Sequence, residues 1–346
     1  MTGHPALFVT LTAPSFGTVH TQRAKDGTAR PCHPRRNTAP CPHGKPASCT
    51  VRHTDDDPRI GEPLCSDCYH YSGSVLFNAL APELWRRLTM AVRRHLARTA
   101  GLTPKALGRH LVVSFAKVAE FQKRGVVHFH AVIRLDGPDG PDSPPPPWGT
   151  VEALDNAVRH AVHAVSTMTP AFDDIPSRPL VWGRQVDLRP IAADGDLTST
   201  AVASYVAKYA TKAAESTGTL DRRIHPLEDL TTLDLRDHPR RLIAECIRLS
   251  AFEPLAHLRL AEWALMLGYR GHFSTKSRRY SITFGAIRAE RADFRKNDDI
   301  TTGRLPLLDD DIPLKIATWT YAGQGLSPGK RLLAAALATT AARGGR

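Results

Sequence analysis

The residues best equipped for chemistry lie in Val127-His128-Phe129-His130-Ala131-Val132-Ile133-Arg134-Leu135, an apolar run with two histidines one residue apart. Successive side chains of a strand point to opposite faces, so His128 and His130 share one face and Phe129 takes the other. Two imidazoles at that spacing can grip a metal ion, although two hydrogen-bonded histidines on an ordinary strand satisfy the same pattern. Upstream, Leu111 to Phe121 reads as a second strand, and Lys123-Arg124-Gly125 supplies the turn, with Gly125 free to take positive φ. If those three residues form the loop, Gln122 pairs with Val126 and Glu120 falls opposite His128, which puts Glu120 and Gln122 on the histidines' face. A carboxylate or amide oxygen beside two imidazole nitrogens suits Mg2+, Mn2+ or a similar divalent ion, with coordination positions left open for a phosphate.

A second group of reactive residues lies in Ala201-Val202-Ala203-Ser204-Tyr205-Val206-Ala207-Lys208-Tyr209-Ala210-Thr211-Lys212. The stretch is rich in alanine and free of Gly and Pro, so it reads as a helix, with Thr198 or Ser199 as its N-cap. Tyr205 and Tyr209 are four apart and project from one helical face, flanked by Lys208 and Lys212. An aromatic pair at this spacing also describes a packing stripe with a solvated lysine edge. Beside a bound metal the pair becomes a candidate nucleophile set: a phenol is a poor nucleophile at its free pKa of about 10, and a lysine or metal nearby favours the phenolate.

Glu120-x-Gln122-x2-Gly125-x2-His128-Phe129-His130, followed by Tyr205-Val206-Ala207-Lys208-Tyr209, resembles the second and third motifs of the HUH endonucleases that initiate rolling-circle DNA replication. Phe8-Val9-Thr10-Leu11-Thr12-Ala13-Pro14 resembles the first motif, the strand that opens that fold. The likeness is to replication initiators of actinobacterial (Streptomyces-type) plasmids and integrative elements, and it covers nearly the whole chain. It implies a nickase in which His128, His130 and either Glu120 or Gln122 hold the catalytic ion. Tyr209 would attack the scissile phosphate of single-stranded or melted origin DNA, leaving a 5′-phosphotyrosyl protein and a 3′-hydroxyl for a host polymerase, with a host helicase as a further partner. Lys208-Tyr209-x2-Lys212 matches the single-tyrosine initiators, whereas gene A proteins of small single-stranded DNA phages use both tyrosines. The family carries further cysteine-rich sequence before its first strand, so this chain is expected to be short at its N-terminus. A relaxase or transposase of the same superfamily would share the motifs. An amidohydrolase barrel would share the H-x-H strand but needs a strand-helix repeat that this sequence lacks. A non-enzymatic zinc-bearing DNA-binding regulator would leave the histidines and tyrosines idle.

Elements that must position these residues can be read along the chain. Its 346 residues are 42% hydrophobic, enough for a real core. No run of about 18 apolar residues occurs and no secretory signal opens the chain, so a cytoplasmic protein without membrane partners is expected. A net charge of +12 and a pI near 9.7 point to a polyanionic partner. Residues 5–13 predict a first strand, with Phe8, Thr10 and Thr12 on one face and Leu7, Val9 and Leu11 on the other. Residues 30–71 hold Cys32, Cys41, Cys49, Cys65 and Cys68 with His33, His43, His53 and His70, and few aliphatic residues, so something other than a core must fold them. Cys65-x2-Cys68 has the knuckle spacing of a structural Zn2+ site; Cys41, His43 and Cys49 are the best further ligands, with Cys32 an alternative.

Gly73 to about Arg98 predicts an amphipathic helix with Leu76, Leu80, Leu84, Leu88 and Val92 on one side. Asp136 to Trp148 reads as an exposed, extended Pro-rich spacer. A helix near 150–167 and a strand around Leu180 to Leu188 follow. The order fits an α+β layer: an HUH-endonuclease-like antiparallel sheet with helices on one side, a zinc-binding insertion and a mainly helical C-terminal region. The expected domains are 1–29 (first strand of the catalytic domain), 30–72 (zinc-binding insertion), 73–220 (catalytic core) and 221–346 (basic, DNA-binding). Leu255 to Leu267 predicts a helix in this last part. Eight Arg or Lys between 270 and 296, against Glu290 and Asp293, suit contact with DNA phosphates.

Overall fold

The computed structural model describes residues 4–36, 39–140, 142–191 and 230–277. In chain order the regular elements are β1 (Ala6–Leu11), β2 (Arg23–Lys25), β3 (Thr28–Arg30), α1 (Tyr71–Thr99), α2 (Pro104–Leu107), β4 (Val112–Phe121), β5 (Val127–Asp136), α3 (Val151–Ala164), β6 (Thr167–Met168), β7 (Pro179–Leu180), β8 (Val186–Pro190), α4 (Asp237–Ser250) and β9 (Ser274–Lys276). Five strands form one sheet in the order β8-β1-β5-β4-β9, every neighbouring pair antiparallel. This is the α+β layer that the sequence predicts.

The alternation of β1 decides which face is core. Leu7, Val9 and Leu11 are fully buried, and on β5 the alternate residues Phe129, Ala131, Ile133 and Leu135 join them. α1 covers this face, presenting Leu84, Trp85 and Leu88; Trp85 meets Phe129 edge-on with ring centroids 6.0 Å apart. Each such large side chain contributes about 1.5–3 kcal/mol by leaving water. α3 packs beside α1, capped by Thr150, whose hydroxyl accepts the Ala153 N–H at 3.1 Å. The opposite face of β1 and β5 carries Phe8, Thr10, His128 and His130.

Several expectations are corrected. Leu255 to Leu267 is not one helix but two 3₁₀ turns, Glu253–Leu258 and Ala264–Met266, each ended by a left-handed residue, Arg259 (φ 53°) and Leu267 (φ 49°). Its leucines still point inward, which is why the apolar spacing looked helical. The strand expected around 180–188 is split: β7 pairs only with β6, and β8 joins the main sheet beside β1. The Pro-rich stretch closes on itself, Gly137 N–H donating to Ser143 O at 2.7 Å, instead of running extended. Residues 230–277 fall beyond the boundary expected at 220, yet α4 lies on α1 and β9 forms the sheet edge beside β4. Among the described residues no helix is long and apolar enough to cross a membrane.

Candidate metal centre

β4 and β5 form the hairpin that the sequence predicts. Gln122 N–H donates to Val126 O at 3.0 Å, Gly125 sits at φ 71°, and Glu120 lies directly opposite His128. The consequence is a three-residue cluster on the sheet face opposite α1. His128 Nε2 is 3.1 Å from Glu120 Oε2 and 3.2 Å from His130 Nε2, and His130 Nε2 is 3.5 Å from the same carboxylate oxygen. Ligands about 2.1 Å from a common ion at right angles lie about 3.0 Å apart, so the three atoms fit adjacent corners of an octahedron and leave the other corners open. Burial lowers the pKa of His128, the largest influence on it, which keeps its imidazole in the neutral form a metal requires.

The surroundings fix these side chains. Thr10 Oγ1 lies 3.1 Å from His130 Nδ1, so an Nδ1–H donated to the hydroxyl leaves the Nε2 lone pair facing the cluster. Phe8 stacks on the His130 ring at 5.8 Å with planes 12° apart. Gln122, the other sequence candidate for third ligand, is engaged elsewhere: its Oε1 accepts from Arg124 Nε at 2.8 Å. Arg124 also donates to the carbonyls of Pro14 and Ala13, tying the turn to the end of β1. Asn78 on α1 is fully buried and clamps the hairpin from below, donating through Nδ2 to Gly125 O (2.9 Å) and Leu267 O (2.8 Å) and accepting Val127 N–H at 2.9 Å. Sequence reasoning missed Asn78 and passed over the role of Thr10; a lone polar residue inside an apolar helix stretch was the available signal for the first.

The cysteine-rich segment brings its ligands together in two groups. Cys41, His43, Cys65 and Cys68 converge, with His43 Nδ1 3.3 Å from Cys68 Sγ and 3.8 Å from Cys65 Sγ. Burial raises the Cys41 thiol, but hydrogen bonds from the His43 and Lys45 backbone and from Cys65 and Cys68 outweigh it and bring the pKa down to about 6. Cys49 and Cys32, which the sequence offered as ligands of that same site, lie instead with His20 and His53. All eight residues have the donor chemistry of zinc ligands. Between this segment and the hairpin turn opens a cavity of about 960 Å³ whose lining includes Arg35, Lys123, Arg124, Arg184, Gln122 and Trp182, with Asp55 the one carboxylate among the described residues that line it. Contact is close: a Cβ on Gly61 would stand 2.2 Å from Lys123 O.

Tyr205, Lys208, Tyr209 and Lys212 lie outside the described residues, as do Arg278 to Lys296 of the basic stretch. Arg86 and Arg87 of α1 both pair with Glu83 on the same helix.

Comparison with known proteins gives two matches. Residues 1–339 match the RepSA family, described as replication initiator protein, pSAM2. A replication initiator protein from Streptomyces ambofaciens is 50% identical over 340 residues, covering 97% of this chain and 70% of the relative. No solved structure matches.

Proposed function

The chain belongs to the RepSA family of replication initiator proteins, and from that premise we propose that it initiates rolling-circle replication by nicking one strand of its origin and later rejoining it. The observation that carries this reading is the convergence of Glu120, His128 and His130 on the sheet face opposite α1, with the spacing of three ligands around one divalent ion. Mg2+ or Mn2+ held there would supply a Lewis acid for a scissile phosphate.

The chain's own residues do the rest. Tyr209, one of the residues outside those described, attacks phosphorus: the bond from phosphorus to the phenolic oxygen forms as the bond to the 3′-oxygen breaks. The phenolic proton leaves with a base, and the 3′-oxygen departs with the electron pair and takes up a proton. One phosphodiester replaces another, so rejoining needs no ATP. Lys208 and Lys212, one and three residues from Tyr209, favour the phenolate by their charge. Tyr205, four residues before Tyr209 in the sequence, is the second candidate nucleophile. The basic cavity beside the hairpin turn suits the backbone of single-stranded DNA, with Arg35, Lys123 and Arg184 meeting phosphates. Cys41, His43, Cys65 and Cys68 hold a structural Zn2+ that folds a segment poor in apolar residues. Residues 278–296 add phosphate contacts, and host helicase and polymerase act on the nicked product.

Nicking of a labelled single-stranded oligonucleotide carrying the element's own origin tests this. The wild-type chain cuts it with Mn2+ or Mg2+; Tyr209→Phe abolishes cutting and Tyr205→Phe leaves first-strand cleavage largely intact. Loss of cutting only in Tyr205→Phe would exchange the two roles. DNA binding without cleavage in any divalent ion would favour a zinc-bearing DNA-binding regulator.

A further inference from the structure

We propose that His20, Cys32, Cys49 and His53 bind a second zinc ion, and that the two sites form a cross-brace through the insertion. The four ligand atoms all lie within 4.8 Å of one another. Tetrahedral zinc with Zn–N near 2.05 Å and Zn–S near 2.3 Å separates two nitrogens by about 3.3 Å and a nitrogen from a sulfur by about 3.5 Å. His20 Nδ1 is 3.1 Å from His53 Nε2, Cys49 Sγ is 3.5 Å from His53 Nε2, and Cys32 Sγ is 4.0 Å from His20 Nδ1. The atoms are already close to the edges of that tetrahedron.

Outer contacts prepare the ligands. His53 donates Nδ1–H to Asp57 Oδ2 at 2.7 Å, which turns its Nε2 lone pair to the centre, the carboxylate-histidine arrangement common behind metal-bound imidazoles. Asp57 is itself held by Arg59, through Nε at 3.0 Å and Nη2 at 2.8 Å. Thr21 N–H points at Cys32 Sγ from 3.2 Å, as expected of a donor to a thiolate. Backbone bonds between His33 and Cys49 in both directions set the two cysteines side by side. Cys32, Cys49 and His53 are buried and His20 is half-buried. Zinc with two thiolates and two neutral imidazoles carries no net charge, so burial costs it little; on binding, the two thiols release two protons.

Order along the chain gives the topology. The ligand pairs are His20 with Cys32, Cys41 with His43, Cys49 with His53, and Cys65 with Cys68. The first and third pairs meet at one site, and the second and fourth at the other. Each ion therefore closes a loop that contains ligands of its neighbour. The second site also braces the cavity wall, since Gly61 N–H donates to His20 O and Gly61 abuts Lys123 O of the hairpin turn. The proposal stands whether or not the chain cuts DNA.

The test is the zinc content and zinc environment of the full-length chain, purified without chelators. Native mass spectrometry is expected to find two zinc ions per chain. X-ray absorption at the zinc edge is expected to find five sulfurs and three nitrogens shared by two ions. One ion per chain with three sulfurs and one nitrogen would overturn the proposal without any mutant. Cys32→Ser or His53→Ala is expected to bring the count below two; a count unchanged in both variants would overturn it as well.

Discussion

Replacing Asn78 by leucine tests whether the metal hairpin is held from the helix beneath it. Leucine has the same branched skeleton of side-chain heavy atoms as asparagine, with bulkier methyl groups, and suits a site with no exposure, so the change removes hydrogen bonds without opening a cavity. Three bonds are lost: those to the carbonyls of Gly125 and Leu267 and that from the N–H of Val127, the residue just before His128. A buried backbone group left without a partner costs about 1–3 kcal/mol, so three of them, partly relaxed, give a destabilisation of about 3–6 kcal/mol. For a body of this size that lowers Tm by about 6–24 °C. Asn78→Asp keeps the acceptor for Val127 but turns a carboxylate oxygen toward two carbonyls, and is expected to be at least as damaging. Urea denaturation at fixed zinc, compared at equal m-values, measures the change, and Mn2+ titration of the folded variant reports whether β5 has shifted. A loss below about 1 kcal/mol with unaltered Mn2+ affinity would refute the clamp and leave the hairpin to its strand pairing alone.

Three further outcomes are expected. Glu120→Gln keeps the side chain's shape and removes its charge, so Mn2+ binding to the DNA-free chain weakens by at least about 10-fold in calorimetry; unchanged affinity would remove Glu120 from the ligand set. Gly61→Ala, at φ 92° and with its Cβ 2.2 Å from Lys123 O, destabilises by about 2–4 kcal/mol in denaturant, whereas a neutral result would show that the insertion does not press on the hairpin turn. His238 is buried, which lowers its pKa to about 4; its Nε2–H donates to Arg124 O at 2.9 Å and Tyr71 Oη lies 3.2 Å from Nδ1. Its folded value lies below the unfolded value near 6.5, so the unfolded chain takes the proton first. Stability is full above about 6.5, falls by about 3 kcal/mol as pH drops to about 4, and is level below. Removing this slope by His238→Gln, measured as the difference between the two chains across that window, checks it; parallel curves would contradict it.

What was legible in the sequence was local. The period-2 alternation of β1 and β5, with a glycine at the one turn position needing positive φ, fixed both the hairpin register and the face shared by Glu120 and the histidines. The leucine spacing of α1 was equally plain, since it faces a single core. The partition of the cysteines was not legible, because which thiols meet depends on how β2, β3 and the loops cross. His20 lies before the expected start of the insertion at residue 30, and only the Cys49-x3-His53 spacing hinted at a second site. The turns at Arg259 and Leu267 escaped for another reason: neither residue type ordinarily adopts the left-handed conformation, so tertiary packing overrode a helical pattern. That Gln122 is engaged away from the histidines depends on Arg124, a residue that reads from sequence only as part of a turn.

The most direct test of the central claim is the intact mass of the chain after incubation with Mn2+ and a single-stranded origin oligonucleotide, followed by peptide mapping. The account predicts a mass increase equal to the fragment on the 3′ side of the nick, carried as a 5′-phosphodiester on the peptide containing Tyr209, with a free 3′-hydroxyl on the other fragment. An oligonucleotide cut to a 5′-phosphate and a 3′-hydroxyl beside a chain of unchanged mass would show hydrolysis by water and contradict the tyrosine mechanism.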